Sequence, residues 1–344
     1  MAKTTSAAAV AERPADALWL AALPAPGFTR VGSDAPVPPA QGEVPGLPAA
    51  ATDMALSRDG RLLVAAHNGA DAVSIIDTAD LSVRTVVDGV PEPGRLAVAD
   101  RIYVTSAGIA EDAVVAIDAA TGAALATKRF DAHIRGLAVS PDGGTLFAAR
   151  CGDEVADIAA IGVESGALRA VPVTRTPAVA VDSLRISPDG ARLYVATATD
   201  TGDALVVIDA RRRRVLKTIG CSASVDDIAV HPDGRRVVAT GWDVNLGGIV
   251  TIVDAESARV IDTVALGGPS TQVVLAGRCA YVLSGHEIAV MDIVTARVTR
   301  TIAAGQPVAC MTVNPEGTRL YIAYFDGTVE ARAVPLADSL RAAS

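Results

Sequence analysis

The most informative segment of the chain reads Leu184-Arg185-Ile186-Ser187-Pro188-Asp189-Gly190-Ala191-Arg192-Leu193-Tyr194-Val195. Apolar side chains alternate with other residues on both sides of Ser-Pro-Asp-Gly, which is the pattern of a half-buried β-strand. Proline presets φ at the second position of a four-residue turn, aspartate bonds to nearby backbone, and glycine accepts the dihedral that ends the turn. The segment therefore predicts a strand, a tight turn and a second strand.

The same phrase returns along the chain, and its spacing predicts the number of repeats. The turn glycines are Gly60, Gly143, Gly190, Gly234 and Gly317, with successive gaps of 83, 47, 44 and 83 residues. The two longer gaps each correspond to two repeats of ~41 residues, close to the ~40–45 residues of a four-stranded propeller blade. Residues 96–104 and 273–282 repeat the pattern with shortened turns, which brings the total to seven repeats.

A second marker places the third strand of each repeat. It is an apolar pair followed by aspartate, and it ends at Asp77, Asp118, Asp209, Asp254 and Asp292, whereas the third repeat has Gly162 instead. A turn and a fourth apolar strand follow each marker. The sequence therefore predicts an all-β fold, a seven-bladed β-propeller of four-stranded antiparallel blades.

These phrases carry a resemblance to a known family. The pattern Leu-Ala-Val-Ser-Pro-Asp-Gly, then Leu-Tyr-Val-Ala, then Val-Ile-Asp resembles the YVTN-repeat seven-bladed propellers over residues 50–334. The resemblance implies the propeller fold, and its members include binding proteins, surface-layer proteins and phosphogluconolactonase-like enzymes. Within the wider superfamily of such repeats, the tryptophan-aspartate class fits less well, since Trp242-Asp243 lies in another part of its repeat.

Composition limits the possible partners and location. The net charge is −9 with a pI near 5.0, which argues against nucleic-acid binding because that requires a basic surface. No apolar run of membrane-spanning length occurs, and residues 1–16 lack the pattern of a secretory signal. The four cysteines are widely spaced without a Cys-x-x-Cys motif, which predicts reduced thiols. We expect a cytoplasmic monomer that binds no membrane.

The ends of the chain predict how the ring closes. Residues 1–16 are expected to be disordered, 17–50 to supply a closing strand and a proline-rich connector, 51–334 to form the propeller, and 335–344 to be a tail. The seventh repeat contains only three strands, and an open sheet edge is costly. The stretch between Leu18 and Val31 is the predicted donor of the fourth strand.

The start of each innermost strand is predicted to lie at the mouth of the central channel. Counting back from each turn gives one residue per blade, and neighbouring positions add further polar side chains. The predicted ligand-binding residues are Asp53, Arg95, His133, Arg135, Asp182, Ser183, Asp226, Asp227 and Gln272. The basic ones belong to blades 2 and 3 and most acidic ones to blades 4 and 5, so a polar ligand could bind between the two sectors.

Cofactor chemistry leaves no signature in the sequence. No calcium loop, phosphate loop, dinucleotide motif or nucleophile elbow occurs, so no metal and no cofactor are predicted and no catalytic residue is assigned. His231 occupies a turn position and is predicted to cap that turn, whereas His67, His133 and His286 fall on the ligand face. The run Arg211-Arg212-Arg213-Arg214 follows Asp209, which predicts a solvated hairpin tip or, alternatively, a site for an anion or acidic partner.

Two functions remain open from the sequence. The first is a non-catalytic binding or scaffolding propeller that recognises a polar small molecule or a protein at the channel mouth. The second is a lactonase-like hydrolase or an isomerase of a small polar metabolite, with Asp, Arg and His of the mouth as acid–base groups. A deep pocket with a carboxylate and a histidine in one cluster would favour the enzyme, and a flat rim bearing Trp242, Tyr324 and Phe325 would favour a protein partner.

Overall fold

Short antiparallel strands account for nearly all regular structure in the described part of the chain. The structure, a computed structural model, describes residues 40–108, 111–152, 156–173, 180–199, 202–221 and 223–334. The strands are β1 (Ala40–Val44), β2 (Asp53–Leu56), β3 (Leu62–His67), β4 (Ala72–Asp77), β5 (Val83–Asp88), β6 (Pro93–Val98), β7 (Arg101–Ser106), β8 (Asp112–Asp118), β9 (Ala124–Phe130), β10 (His133–Val139), β11 (Thr145–Cys151), β12 (Ala156–Gly162), β13 (Leu168–Pro172), β14 (Ala180–Ile186), β15 (Arg192–Thr199), β16 (Gly202–Asp209), β17 (Arg214–Gly220), β18 (Asp227–Val230), β19 (Arg236–Asp243), β20 (Gly247–Asp254), β21 (Arg259–Ala265), β22 (Gln272–Ala276), β23 (Cys279–Ser284), β24 (Glu287–Asp292), β25 (Arg297–Ala303), β26 (Val308–Val313), β27 (Arg319–Tyr324) and β28 (Val329–Ala333). A single 3₁₀ turn at Asn68–Ala70 is the one helical element within these ranges.

The strands form seven four-stranded antiparallel sheets, which confirms the predicted fold. Blades 1 to 6 each take four consecutive strands in chain order, beginning with β2 through β5 and ending with β22 through β25. The inner strand of each blade lies beside that of the next, and β26 of blade 7 lies beside β2 of blade 1. The ring is therefore closed.

Blade 7 is completed by the strand β1, which lies on the outer edge against β28. Val44 pairs with Val329 and Glu43 with Glu330, in a sheet ordered β1, β28, β27, β26. The predicted donor between Leu18 and Val31 is therefore wrong in position, because residues 40–44 already fill this edge; residues 18–31 lie outside the described residues. The predicted N-terminal closure itself is confirmed.

The core consists of apolar layers between neighbouring blades. Within the described ranges, seven clusters of buried Val, Ile, Leu, Ala and a few aromatic side chains are found, one at each junction between adjacent blades. The second and third strands of the blades are almost wholly buried, whereas outer strands such as β17 and β21 are largely exposed. Stability thus depends on contacts between neighbouring repeats, as in other repeat folds.

Strand order defines two faces of the disc. The upper face carries the starts of the inner strands and the hairpins between second and third strands. The lower face carries the turns between first and second strands and those between third and fourth strands. The Ser-Pro-Asp-Gly phrase lies on the lower face: Ser187 Oγ donates to Asp189 at 2.6 Å and accepts from Arg192 N at 2.9 Å. Gly190 has φ +69°, and a Cβ there would lie 3.0 Å from Pro141 of blade 3.

Because of the turn aspartates, the folded protein should lose stability at acid pH. Hydrogen bonds from Ser187, Thr121 and Ser257 hold the pKa values of Asp189, Asp118 and Asp254 below the ordinary 3.8. A depressed folded-state pKa contributes stability above the unfolded value, and this contribution is lost as pH falls through the folded value.

We expect the melting temperature to fall as pH drops below 3.8. Asp189→Ala should cost about 1 kcal/mol near pH 6, because two hydrogen bonds to the carboxylate are lost, and less at about pH 3. Thermal melts of both proteins across this range test this, and a constant difference between them would contradict it.

Candidate functional site at the axial mouth

Residues from the inner strands of five blades meet around a small cavity on the upper side of the axis. The cavity has a volume of about 20 Å³, room for roughly one water molecule. Six predicted residues line it, together with Leu96, Gly136, Leu137 and Arg185: Asp53, Arg95, Arg135, Asp182, Ser183 and Asp227. The repeat thus brings the basic and acidic sectors together, whereas His133, Asp226 and Gln272 are not part of this lining.

Asp227 joins three blades. Its Oδ1 accepts hydrogen bonds from Arg185 Nη2 at 2.8 Å and Ser183 Oγ at 3.2 Å in blade 4. Its Oδ2 accepts from the backbone N–H of Val273 in blade 6 at 3.1 Å. The side chain is buried. A buried carboxylate charge is costly unless it is compensated, and here an arginine, a hydroxyl and a backbone N–H compensate it.

Asp53 and Gln272 make the same kind of contact at other junctions. Asp53 Oδ2 accepts from Leu96 N at 2.9 Å, and Gln272 Oε1 accepts from Met311 N at 2.8 Å while its Nε2 donates to Met311 O at 3.1 Å. In each case the first-strand residue bonds to the backbone of the following blade, one position further along. These predicted ligand-binding side chains therefore hold the blades together around the axis.

Burial affects the ionisation of Asp53. Loss of solvation raises the pKa of this carboxyl above its ordinary value, and the nearby Arg95 guanidinium and the Leu96 N–H oppose the shift. Carboxyl groups whose pKa is shifted by burial and by a nearby charge are common at functional sites, and they also occur in structural networks of ion pairs.

Most of the predicted charged side chains remain at least partly accessible at the mouth. Arg95 and Arg135 are exposed, and Asp182 and Asp226 are partly exposed. Charges in this setting are screened by water, so each pair contributes roughly 0–1 kcal/mol on its own. Their effect is to polarise the centre of the upper face, positive over blades 2 and 3 and negative over blades 4 and 5.

The histidines lie apart from the cavity. His133 is exposed, with Nδ1 3.5 Å from Asp112 Oδ1, and His67 is buried, with Nε2 2.9 Å from Ser74 Oγ. Burial lowers the pKa of His67, which favours its neutral form. Within the described ranges no histidine belongs to the cavity lining. His231 caps its turn as predicted, with Asp233 N donating to its Nδ1 at 3.3 Å.

Two residues of this network were missed from the sequence. Arg185 lies two positions after Ser183 on the same face of β14, so strand alternation could have placed it toward the axis. Asp112 begins the third strand of blade 2, and its Oδ2 accepts from Ile134 N of blade 3 at 2.9 Å. No sequence signal distinguishes Asp112 from an ordinary exposed aspartate.

Exposed apolar side chains occupy two hairpin tips on the upper face. The hairpin between β19 and β20 carries Trp242, Val244 and Leu246, which are 45%, 88% and 51% exposed. Asp243 orders this tip by accepting from Asn245 N at 2.8 Å and Leu246 N at 3.0 Å. In blade 7, Phe325 is 50% exposed. Trp242 and Phe325 thus lie on the rim of the upper face.

Tyr324 does not lie on this rim. It is buried, and its hydroxyl donates to Glu330 Oε2 at 2.6 Å. The residue ends β27 with its side chain in the apolar layer between blades 6 and 7, so it offers no surface to a partner.

The described residues contain neither a metal-binding cluster nor a membrane-spanning helix. In the described part of the chain, no three His, Cys, Asp or Glu side chains are arranged to hold a metal ion. No described helix has the length and apolar character needed to cross a bilayer. Within the described residues the structure contains no disulfide bond, and Cys279 and Cys310 are buried; burial raises the pKa of both thiols.

A known protein is similar to this chain in sequence. The seven-bladed beta-propeller protein Rv1057 of Mycobacterium tuberculosis is 32% identical in a 319-residue alignment that covers 82% of this chain and 81% of the relative. The chain belongs to the seven-bladed β-propeller family. No protein-family model matches this propeller.

Solved structures resemble the propeller at lower identity. Hydrazine synthase of Kuenenia stuttgartiensis matches 90% of this chain and 99% of that chain, with a TM-score of 0.72 and 18% identity. The Cps50 (Swd1) β-propeller domain of Myceliophteria thermophila matches 87% of this chain and 100% of that chain, with a TM-score of 0.73 and 15% identity. At these identities the likeness concerns the fold alone.

Proposed function

We propose that this propeller is a non-catalytic scaffold that binds a protein partner on its upper face. The observation that carries the proposal is the pair of hairpin tips with exposed Trp242, Val244, Leu246 and Phe325. Aromatic and aliphatic side chains surrounded by polar residues are typical of a protein-binding surface.

The axial mouth supports a protein rather than a buried metabolite. A cavity of about 20 Å³ is far below the ~300–1,000 Å³ of ordinary small-molecule sites. Arg95 and Arg135 on one side and Asp182 and Asp226 on the other would orient a partner of complementary charge. A polar small molecule, the other ligand considered from the sequence, would have to bind above these side chains.

The hydrolase or isomerase alternative lacks its key arrangement. General acid–base catalysis requires a titratable group within reach of a bound substrate. Among the described residues, His133 pairs with Asp112 on this face, but the His133 ring is exposed and neither residue belongs to the cavity lining. We therefore do not propose it.

The proposal also covers the repeat class of the protein, its location, its oligomeric state and the partners that it does not bind. The YVTN-type phrases support membership of that repeat class, and the lack of a disulfide bond among the described residues suits a reducing cytoplasm. The net charge of −9 argues against a nucleic-acid partner. We propose a monomeric cytoplasmic protein, without a membrane or nucleic-acid partner.

Replacing Trp242 and Val244 by serine together should abolish capture of the partner from an extract of the source organism. Hot-spot side chains contribute about 2 kcal/mol or more to binding, so affinity should fall at least roughly thirtyfold. The matched control replaces Val260 and Ile261, which are exposed on the outer strand β21 of the same blade, and should capture normally. Both variants should melt like the wild type, because exposed substitutions change stability by about 0.5 kcal/mol or less.

A partner that the upper-face variant retains, or that the β21 control loses, would contradict the proposal. A metabolite that raises the melting temperature of the wild type but not of Arg135→Ala would show instead that the mouth binds a small molecule.

A further inference from the structure

Four blades use an arginine to hold the next blade on the lower face. Each arginine begins the second strand of its blade and reaches the turn between the third and fourth strands of the following one. Arg192 donates to the carbonyl oxygens of Ala255 and Glu256, the latter at 3.3 Å. The others are Arg236 to Ile293 O, Arg319 to Thr78 O at 2.7 Å, and Arg101 to Glu164 Oε1 at 3.0 Å.

Two junctions without this arginine are filled by apolar side chains. In blade 1 the position is Leu62, which packs in one cluster with Ala119 of blade 2. In blade 6 it is Cys279, which packs in one cluster with Val334 of blade 7. At both junctions the two positions that the arginine would bridge are in the same apolar layer.

The junction between blades 3 and 4 has neither solution. Thr145 stands where the arginine would begin, paired with Gly162 at the position where other blades have the marker aspartate. Its counterpart in blade 4 is Ala210, which follows Asp209 as Ala255 follows Asp254. Thr145 and Ala210 both line an open cleft of about 610 Å³. The cleft therefore occupies the place of the missing arginine.

Three arginines give this cleft its charge. Arg169 of β13 and Arg211 and Arg213 of the blade 4 turn belong to its lining. Within the part of the chain that the structure describes, the guanidinium groups of Arg169 and Arg213 make no hydrogen bond or ion pair. At the equivalent position of blade 4, Lys217 donates to Ser257 O of blade 5 at 3.1 Å, so Arg169 also lacks the contact made elsewhere.

The two carboxylates of the cleft are already engaged. Asp142 accepts from Ser140 Oγ at 2.5 Å and Gly144 N at 3.0 Å, and Asp189 is held in the same way by its own turn. Arg211 is the one arginine of the cleft that helps to lower the pKa of Asp142. The lining thus offers two uncompensated guanidinium groups for a ligand oxyanion.

Apolar surface lies beside the charge. Phe147, Ala160, Ala167 and Pro141 contribute to the lining, and the volume falls within the ~300–1,000 Å³ of small-molecule sites. Arginine recognises carboxylate and phosphate groups through paired N–H donors. We propose that the lower-face cleft between blades 3 and 4 binds a small organic anion, through a phosphate or carboxylate group held by Arg169 and Arg213. This site is independent of the upper-face function proposed above.

Isothermal titration calorimetry of the full chain with inorganic phosphate, glucose 6-phosphate and citrate tests the proposal. At least one probe should bind at physiological ionic strength, where exposed surface pairs are largely screened. Binding of the phosphate compounds alone assigns a phosphorylated ligand, and binding of citrate alone assigns a carboxylate ligand. If no probe binds at millimolar concentration, the proposal is wrong.

Two variants separate this cleft from general surface charge. Arg169→Ala with Arg213→Ala removes the charge and should weaken binding at least about tenfold, since each lost charge-assisted hydrogen bond costs that much or more. Thr145→Met places a neutral side chain of nearly arginine length in the cleft and should also abolish binding.

The control is Arg259→Ala with Arg297→Ala, which makes the same charge change at exposed strand starts on the lower face of blades 5 and 6. It should bind as the wild type does. Equal loss in this control, unchanged binding in the first two variants, or preferential binding of free arginine would each overturn the proposal.

Discussion

Removal of residues 1–44 should lower the melting temperature by about 10 °C, because blade 7 loses its outer strand. Val44 is buried against blade 1, and burying a valine contributes about 1.5–3 kcal/mol. Each lost backbone hydrogen bond between β1 and β28 adds about 1 kcal/mol. A total near 3–5 kcal/mol corresponds to a shift of this size at ~2–4 °C per kcal/mol.

Removal of residues 1–39 is the matched control. It keeps β1 intact, so we expect the melting temperature of the full chain. A closing strand between Leu18 and Val31 would instead predict that this shorter deletion also lowers the melting temperature. Calorimetry of the three proteins decides between these outcomes: equal melting temperatures for both truncations would mean that β1 does not stabilise the ring.

Replacing Asp227 by alanine should cost about 2–4 kcal/mol, mainly because buried hydrogen-bond donors lose the carboxylate that accepts from them; the partly exposed Arg185 guanidinium also loses its ion pair. The buried donors are the Val273 N–H and the Ser183 hydroxyl. Asp227→Asn keeps the shape and one acceptor and should cost less. Urea denaturation gives the free energy of unfolding of both variants.

Arg135→Ala provides the comparison for Asp227, because Arg135 lines the same cavity but is exposed. It should unfold within about 0.5 kcal/mol of the wild type. An Asp227→Ala protein as stable as Arg135→Ala would show that the bonds across blades 4, 5 and 6 contribute little. Asp227 is also a poor choice for testing ligand affinity, because its loss disturbs the inner strands themselves.

The blades could be predicted from the sequence because each repeat encodes its own hairpins. Strand alternation and the turn at residues 187–190 are local properties, and seven copies reinforce one another. The closing strand is different. Ala40–Val44 contains Gly42 and Glu43 and has little strand character of its own. It pairs because the edge of β28 is vacant, and Gly42 fits because a Cβ would lie 2.7 Å from Leu81.

At the axial mouth, the repeat predicts the position of a side chain but not its contacts. Equivalent positions in each repeat correctly placed Asp53, Ser183 and Asp227 around the axis. Whether such a side chain faces solvent or the next blade's backbone depends on the distance between inner strands, which no single repeat specifies. Asp53 and Asp227 proved to bind the following blades, whereas Arg95 and Arg135 remained exposed.

The lower-face cleft could not be predicted from the sequence either, because it depends on contacts between neighbouring blades. Gly162 and the arginine run were visible as departures from the repeat. Their meaning depends on Arg192, Arg236 and Arg319, whose contacts with the next blade define what Thr145 lacks.

The pairing of β1 with β28 has a consequence for the order of events during translation. Ala40–Val44 emerges from the ribosome long before Val329–Ala333 has been synthesised. The strand β1 therefore remains without its partner β28 until the end of the chain is made. Blades 1 to 6 contain only consecutive strands and can form as they emerge. Until synthesis reaches blade 7, the nascent protein is an open arc with an apolar surface at each end, and this is the interval in which chaperones would protect it.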